Sequence, residues 1–135
     1  MSVIQISRSA LEEMLAHAES AAPNECCGLL IGSAARVEHA ARARNLCESP
    51  TRFRVDPAAH FGAIKAARAE GATVVGVYHS HPSSAPVPSD RDLAEAAYPE
   101  YLYVIVVPGG PDRSREARAF RLVEGQFKPV ELRIA

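Results

Sequence analysis

Thr73-Val74-Val75-Gly76-Val77-Tyr78-His79-Ser80-His81-Pro82 is an apolar run that ends in two histidines one residue apart. Read as a strand, the run alternates its side chains between faces, so His79 and His81 point the same way where it stops. A proline-rich loop, Ser83-Ser84-Ala85-Pro86-Val87-Pro88, leads to Ser89-Asp90-Arg91-Asp92. Ser89 and Asp92 are three apart and share the face of a helix that Ser89 can cap. Two imidazoles and a carboxylate converging on one point have the donor chemistry of a zinc site with an open fourth position. The fixed φ angles of the prolines lower the entropy lost when the loop presents Ser89 and Asp92.

Outward from this stretch the chain alternates helix and strand patterns. Ser2-Val3-Ile4-Gln5-Ile6 reads as a first strand, and Ser7 as the N-cap of a helix to about Ala21, with Leu11, Met14, Leu15 and Ala18 on one face. Pro23-Asn24 breaks it, and Glu25 to Gly32 reads as a buried strand because its apolar run is nearly continuous. Arg36–Leu46 alternates as a half-exposed strand, and Thr51–Val55 as another short one. Asp56-Pro57 opens a helix to about Ala69, with Phe61, Ile64 and Ala67 at helical spacing, and Glu70-Gly71 closes it. A helix from Ser89 to about Ala97 precedes Tyr101–Val107, the most strand-like run of all. Two alternating segments, Arg115–Val123 and Gln126–Ile134, flank Glu124-Gly125 as a hairpin. The fold class that follows is a single-domain α/β protein, residues 1–135, whose mixed, largely antiparallel sheet is flanked by helices.

With 135 residues, 47% hydrophobic and 23% charged, the chain can bury a core. A net charge of -1 gives no bulk field toward nucleic acid or anionic membrane. Arginines gather at positions 42, 44, 52 and 54 and again at 113, 115, 118 and 121, a spacing that polar strand faces explain. No signal segment or membrane-length apolar run is visible, so a cytoplasmic location is expected. The three cysteines, Cys26, Cys27 and Cys47, have no disulfide-framework spacing and read as reduced thiols.

A hydrolytic zinc needs a base and a donor for the developing oxyanion. Glu25, at the start of a buried strand, is the candidate base or a solvated residue at a strand edge. Ser89 is the candidate oxyanion donor or a plain N-cap. His17, His39 and His60 read as structural. Cys26 and Cys27 read as core packing, with a thiol close to the metal as the other option.

Glu25 together with His79-Ser80-His81-Pro82-x-x-x-Pro86-x-Pro88-Ser89-x-x-Asp92 resembles the JAMM (MPN+) signature of the JAB/MPN zinc metallopeptidases. Pro23-x-Glu25-x-Cys27-Gly28-Leu29-Leu30-x-Gly32 is similar to the segment that carries that family's glutamate. The resemblance covers essentially the whole chain and implies an MPN/JAB, cytidine-deaminase-like architecture. It implies His79, His81 and Asp92 as ligands of one zinc ion per chain, Glu25 as general acid and base, and Ser89 as oxyanion donor. It also implies hydrolysis after the C-terminal Gly-Gly of a partner. The chain is too short for the insertions with which eukaryotic members clamp ubiquitin, so a ubiquitin-like or sulfur-carrier protein is the expected substrate, its extended tail lying along a strand edge. Carrier identity, linear or isopeptide linkage, and oligomeric state (a homodimer included) stay open. The alternatives are a RadC-like protein or a non-catalytic MPN-type binding module. The RadC motif has Asn between its histidines and Gly after the proline, where this chain has Ser80 and Ser83. A nucleoside deaminase needs His-x-Glu with Pro-Cys-x-x-Cys, which Cys26-Cys27 does not supply.

Overall fold

The computed structural model describes residues 3–135. The first strand, β1, is Val3–Ile6, and the Ser2 expected to begin it lies outside the described residues. The helix α1, Arg8–Ala21, starts where Ser7 Oγ accepts from Ala10 N–H at 3.1 Å, so the predicted cap is the one used. The other elements are β2 (Cys27–Ser33), β3 (Arg36–Ala43), α2 (Pro57–Ala69), β4 (Thr73–Ser80), α3 (Asp90–Glu95), β5 (Leu102–Val107), β6 (Glu116–Val123) and β7 (Gln126–Ile134). Glu124 and Gly125 both have positive φ, the requirement of a two-residue turn that matches strand twist.

The expected mixed sheet forms, but it closes on itself: seven strands run in the order β1-β3-β2-β4-β5-β6-β7, and β7 pairs back with β1. The pairs β1–β3, β1–β7 and β4–β5 are parallel and the other four are antiparallel. Closure is invisible in any local pattern because it joins β1 to the last strand. The ring is closed least firmly at β3, which meets β1 only at Arg36 and Val37 and leaves Glu38–Ala43 paired with β2 alone.

Both faces of the central strands are covered. Met14, Leu15 and Ala18 of α1 pack with Leu30, Tyr78, Val104 and Val106. Leu29, Val77 and Tyr103, one position out of step, pack with Ala63 of α2. This explains the unbroken apolar runs of β2 and β5.

Three local expectations are corrected. Thr51–Val55 is no strand; it forms a single bridge, Asn45 to Val55. The Asn45 side chain takes the backbone groups a ladder would have used, donating to Arg52 O and accepting from Arg54 N–H. Phe61 lies 64% exposed under Lys65, because α2 meets the sheet through the small Ala63 and Ala67 instead. The helix after Ser89 stops at Glu95 rather than Ala97, with Ala96 already extended.

The arginine clusters are mostly self-satisfied: Arg42 pairs with Glu13, Arg115 with Glu12, and Arg118 with Glu116. Each pair is solvent-exposed and contributes little to stability. No helix among the described residues is long and apolar enough to cross a membrane.

Gly28 sits where β2 crosses the Tyr78 ring, and a methyl group there collides with that ring and with the carbonyl of Ala41. Tyr78 is fully buried and its hydroxyl is tied to His17 Nδ1 at 2.7 Å, so it cannot step aside. Gly28→Ala is expected to cost about 3 kcal/mol by overpacking, read as a lower urea midpoint; an unchanged midpoint refutes this packing account.

Candidate metal centre

β4 ends as predicted, with His79 and His81 on one side of the chain and both buried. Between them Ser80 faces the other way and locks the strand to its neighbour. Its N–H donates to Cys26 O at 3.0 Å, and its Oγ accepts from Cys26 N–H at 2.8 Å. That double link, with Cys27 in register with His79, places Glu25 at the site from a distant part of the sequence. Glu25 precedes β2 rather than lying in it, and its N–H donates to Ser49 O at 2.8 Å.

Asp92 reaches the same point from the first turn of α3. Ser89 Oγ accepts from Asp92 N–H at 3.0 Å, and Asp92 Oδ2 accepts from Ser89 N–H at 2.9 Å, a reciprocal capping box that fixes the carboxylate. His79 Nε2, His81 Nε2 and Asp92 Oδ2 form a nearly equilateral triangle with sides of 3.2, 3.2 and 3.3 Å.

Two arguments fit this triangle to a metal ion. Bonds of about 2.0–2.1 Å in a tetrahedral arrangement separate donors by about 3.3–3.4 Å, close to the sides observed. The hydrogen-bond count points the same way. His81 Nδ1 lies 2.8 Å from Ala85 O, so in the neutral ring that nitrogen carries the proton and Nε2 presents a lone pair. Neutral His81 therefore cannot donate to Asp92, and three acceptor-rich atoms lie together with at most one proton, from His79, among them. A shared cation resolves that conflict. A backbone carbonyl holding the outer nitrogen of a ligand histidine is also the usual support for such a ring.

The three groups also shift one another's titration. Burial pushes the His79 pKa down, against the pull of Asp92. Burial acts the same way on His81 and is the largest single effect, but the hydrogen bonds to Asp92 and Ala85 and the Asp92 and Glu25 charges together exceed it, and the net shift is upward. Asp92 resists its own burial because both imidazoles and Ser89 N–H stabilise the anion, holding the carboxyl well below the usual range.

Glu25 is 6% exposed, and its Oε1 is the one buried side-chain oxygen or nitrogen among the described residues that lacks a partner. Burial raises its pKa to about 7, with His81 opposing and Asp92 reinforcing the shift. A solvated residue at a strand edge is thus excluded. Ser89 is exposed; its Oγ accepts within the capping box, leaving the O–H free to donate outward. Cys26 and Cys27 are both buried, and burial lifts their thiols to about 11 and about 12, as core packing requires. His17 and His60 bind the hydroxyls of Tyr78 and Tyr101 and stay structural, while His39 is exposed on β3.

Sequence reasoning missed two residues that shape the site. Phe53 stacks on His79 with ring centroids 4.2 Å apart and an interplanar angle of 15°. Asn45 holds the Phe53 segment through Arg52 and Arg54, and also donates to Glu25 O at 3.0 Å. Their signal was present only as an Asn followed by a broken strand pattern. A cavity of about 30 Å³ opens between Phe53, His79, Asp92 and Tyr103, and a cleft of about 540 Å³ continues past Phe53 and Glu95 toward His60 and Tyr98.

A family model described as prokaryotic homologs of the JAB domain matches residues 7–123. The chain belongs to this family. The "Probable TtuB-protein conjugate cleaving protease" of Thermus thermophilus is 39% identical to this Prok-JAB chain over 125 residues, 92% of this chain and 79% of that one. The "CysO-cysteine peptidase" of Mycobacterium tuberculosis is 33% identical over 125 residues, 91% of this chain and 85% of that one. The solution structure of a protein from Desulfitobacterium hafniense matches with a TM-score of 0.87 and 33% identity, covering 98% of this chain and 92% of that one.

The unpartnered carboxyl of this Prok-JAB site makes its own stability prediction. Folding raises the Glu25 pKa from 4.5 to about 7, so the protonated side chain is the one the fold favours. Its contribution is complete below pH 4.5 and is lost as pH rises through 7, an interval equivalent to at most about 3 kcal/mol. In chelator, Glu25→Gln is expected to unfold at higher urea than the parent at pH 8, and the gap should close by pH 4.5. Equal midpoints at pH 8 contradict the burial argument.

Proposed function

We propose that this chain is a single-domain, zinc-dependent peptidase or isopeptidase that cuts after the C-terminal Gly-Gly of a ubiquitin-like or sulfur-carrier protein. One zinc ion is assigned to His79, His81 and Asp92. The observation that carries the reading is the pairing of a tetrahedral donor face with a buried, unpartnered carboxyl. The protease and peptidase names of the two relatives support the reaction class.

Zinc held there supplies Lewis acidity, polarising a carbonyl and acidifying a water molecule. Glu25, with a pKa of about 7, can accept a proton from water and return it to the leaving amine at neutral pH. Ser89 holds its oxygen through Asp92 N–H and points its O–H at the substrate carbonyl as charge develops there. Burial around His79 and His81 keeps the dielectric low, so these interactions act with more force than in water.

The tail is assigned to the cleft past Phe53. The free thiols Cys26, Cys27 and Cys47 support placement in a reducing, cytoplasmic compartment.

The test is digestion of carriers that bear a linear or an isopeptide-linked extension after Gly-Gly, followed by intact mass. Cleavage after the second glycine is expected, abolished by chelator and restored by zinc. Glu25→Gln should lower kcat by about 10²–10⁴-fold while zinc content stays at one per chain. Failure of zinc-loaded protein on both substrate types rejects the proposal.

A further inference from the structure

Arg113 lies in the loop between β5 and β6, outside every motif noted in the sequence, yet it reaches back to the metal centre. Its guanidinium donates to three backbone carbonyls of one loop, each at 2.7 Å: His81 O, Pro82 O and Ser84 O. The loop from Pro82 to Pro88 has no strand ladder of its own, and Ser83, Ser84 and Ala85 are exposed. Its next residue, Ala85, supplies the carbonyl that orients His81 through Nδ1 at 2.8 Å.

We propose that Arg113 is a positioning residue of the metal centre: it clamps the 81–85 loop and so fixes the aim of His81 Nε2. Five donors in a planar fork suit one guanidinium to several carbonyls, which an ammonium matches less well. The clamp is itself preorganised. Gly110 and Arg113 bond each other's backbone across a tight turn, Gly110 N–H to Arg113 O at 2.9 Å. That turn follows β5, the strand whose Val106 O accepts from His81 N–H at 3.0 Å. One strand and its loop therefore hold His81 at its amide and its carbonyl, and steer the ring through Ala85.

A brace that merely stabilises a surface loop predicts no change in metal affinity. Arg121 provides the matched control, because it also donates to two backbone carbonyls, Glu100 O and Ala34 O at 3.2 and 3.3 Å, in segments that carry no donor of the triad.

The inference rests on the proposed metal site, and the experiment separates the two. Zinc affinity is measured by competition with a chromophoric chelator for the parent, Arg113→Ala, Arg113→Lys and Arg121→Ala, with circular dichroism confirming folding. Arg113→Ala is expected to bind zinc about 10–100-fold more weakly, Arg113→Lys to fall between it and the parent, and Arg121→Ala to stay within about twofold of the parent. Where Arg113→Ala does not fold, Arg113→Lys decides alone, by a loss of at least about threefold. Parent-like affinity in the Arg113 variants overturns the inference and leaves the metal site standing. An equal loss in Arg121→Ala overturns it too, since the effect is then general. A parent that binds no zinc rejects the metal site itself, and the inference with it.

Discussion

The junction of β2 and β4 is the constraint on which the centre depends. Ser80 N–H bonds Cys26 O, and Cys26 N–H bonds Ser80 Oγ, across 54 residues of sequence. Slipping this register by one residue turns every side chain to the opposite face. His79 and His81 would then enter the packed side, and Ser80 would replace them. The same pairing sets Glu25 beside the imidazoles, because only Cys26 separates it from β2. Tyr78 and Gly28 reinforce the register, since the Tyr78 ring occupies the space a Gly28 side chain would need. Packing thus selects one face for chemistry, and hydrogen bonding prevents slippage.

That arrangement carries an energetic conflict. A carboxyl with a buried, unpaired oxygen is kept close to an anionic Asp92, and both act to hold Glu25 protonated toward neutral pH. The core pays for it: Met14, Leu30, Val104 and Val106, all but fully buried, supply hydrophobic stabilisation well away from the polar cluster. Tyr78 joins the cluster on the α1 side, while Val77, in step with His79, belongs to the smaller cluster that adjoins the site.

The sequence revealed what depends on neighbours a few residues apart. The i, i+2 histidines, the Ser89–Asp92 capping box, the Asp56-Pro57 helix start and the Glu124-Gly125 turn all follow from local geometry and were legible. Glu25 was half legible, since spacing alone left it between a base and a solvated edge, and its burial removes the solvated edge. Closure of β7 on β1, the Asn45 buckle, the exposed Phe61 and the Arg113 clamp were not legible. Each depends on partners distant in sequence, and a polar side chain bonding a far carbonyl leaves no periodic trace. Arg113 was visible only as one member of an arginine cluster in which Arg115 and Arg118 pair with exposed acids.

The three donors are anchored by different parts of the fold, and this bears on what a metal contributes. His79 is held by the β ladder and by Phe53 stacking, His81 by β5 and the Ala85 carbonyl, and Asp92 by its capping box. None of these anchors requires an ion, unlike the small zinc modules whose metal binding is their folding energy. A closed seven-stranded sheet with helix-covered faces supplies that energy through buried apolar area instead. On the proposed reading, the metal's part would be chemical rather than structural. Donor spacing already near that of a tetrahedral face means little rearrangement on binding, so affinity is governed by how rigidly the anchors hold. Side chains that offer no donor, Phe53 stacked on His79 and Asn45 bonded to the Phe53 segment, belong to those anchors.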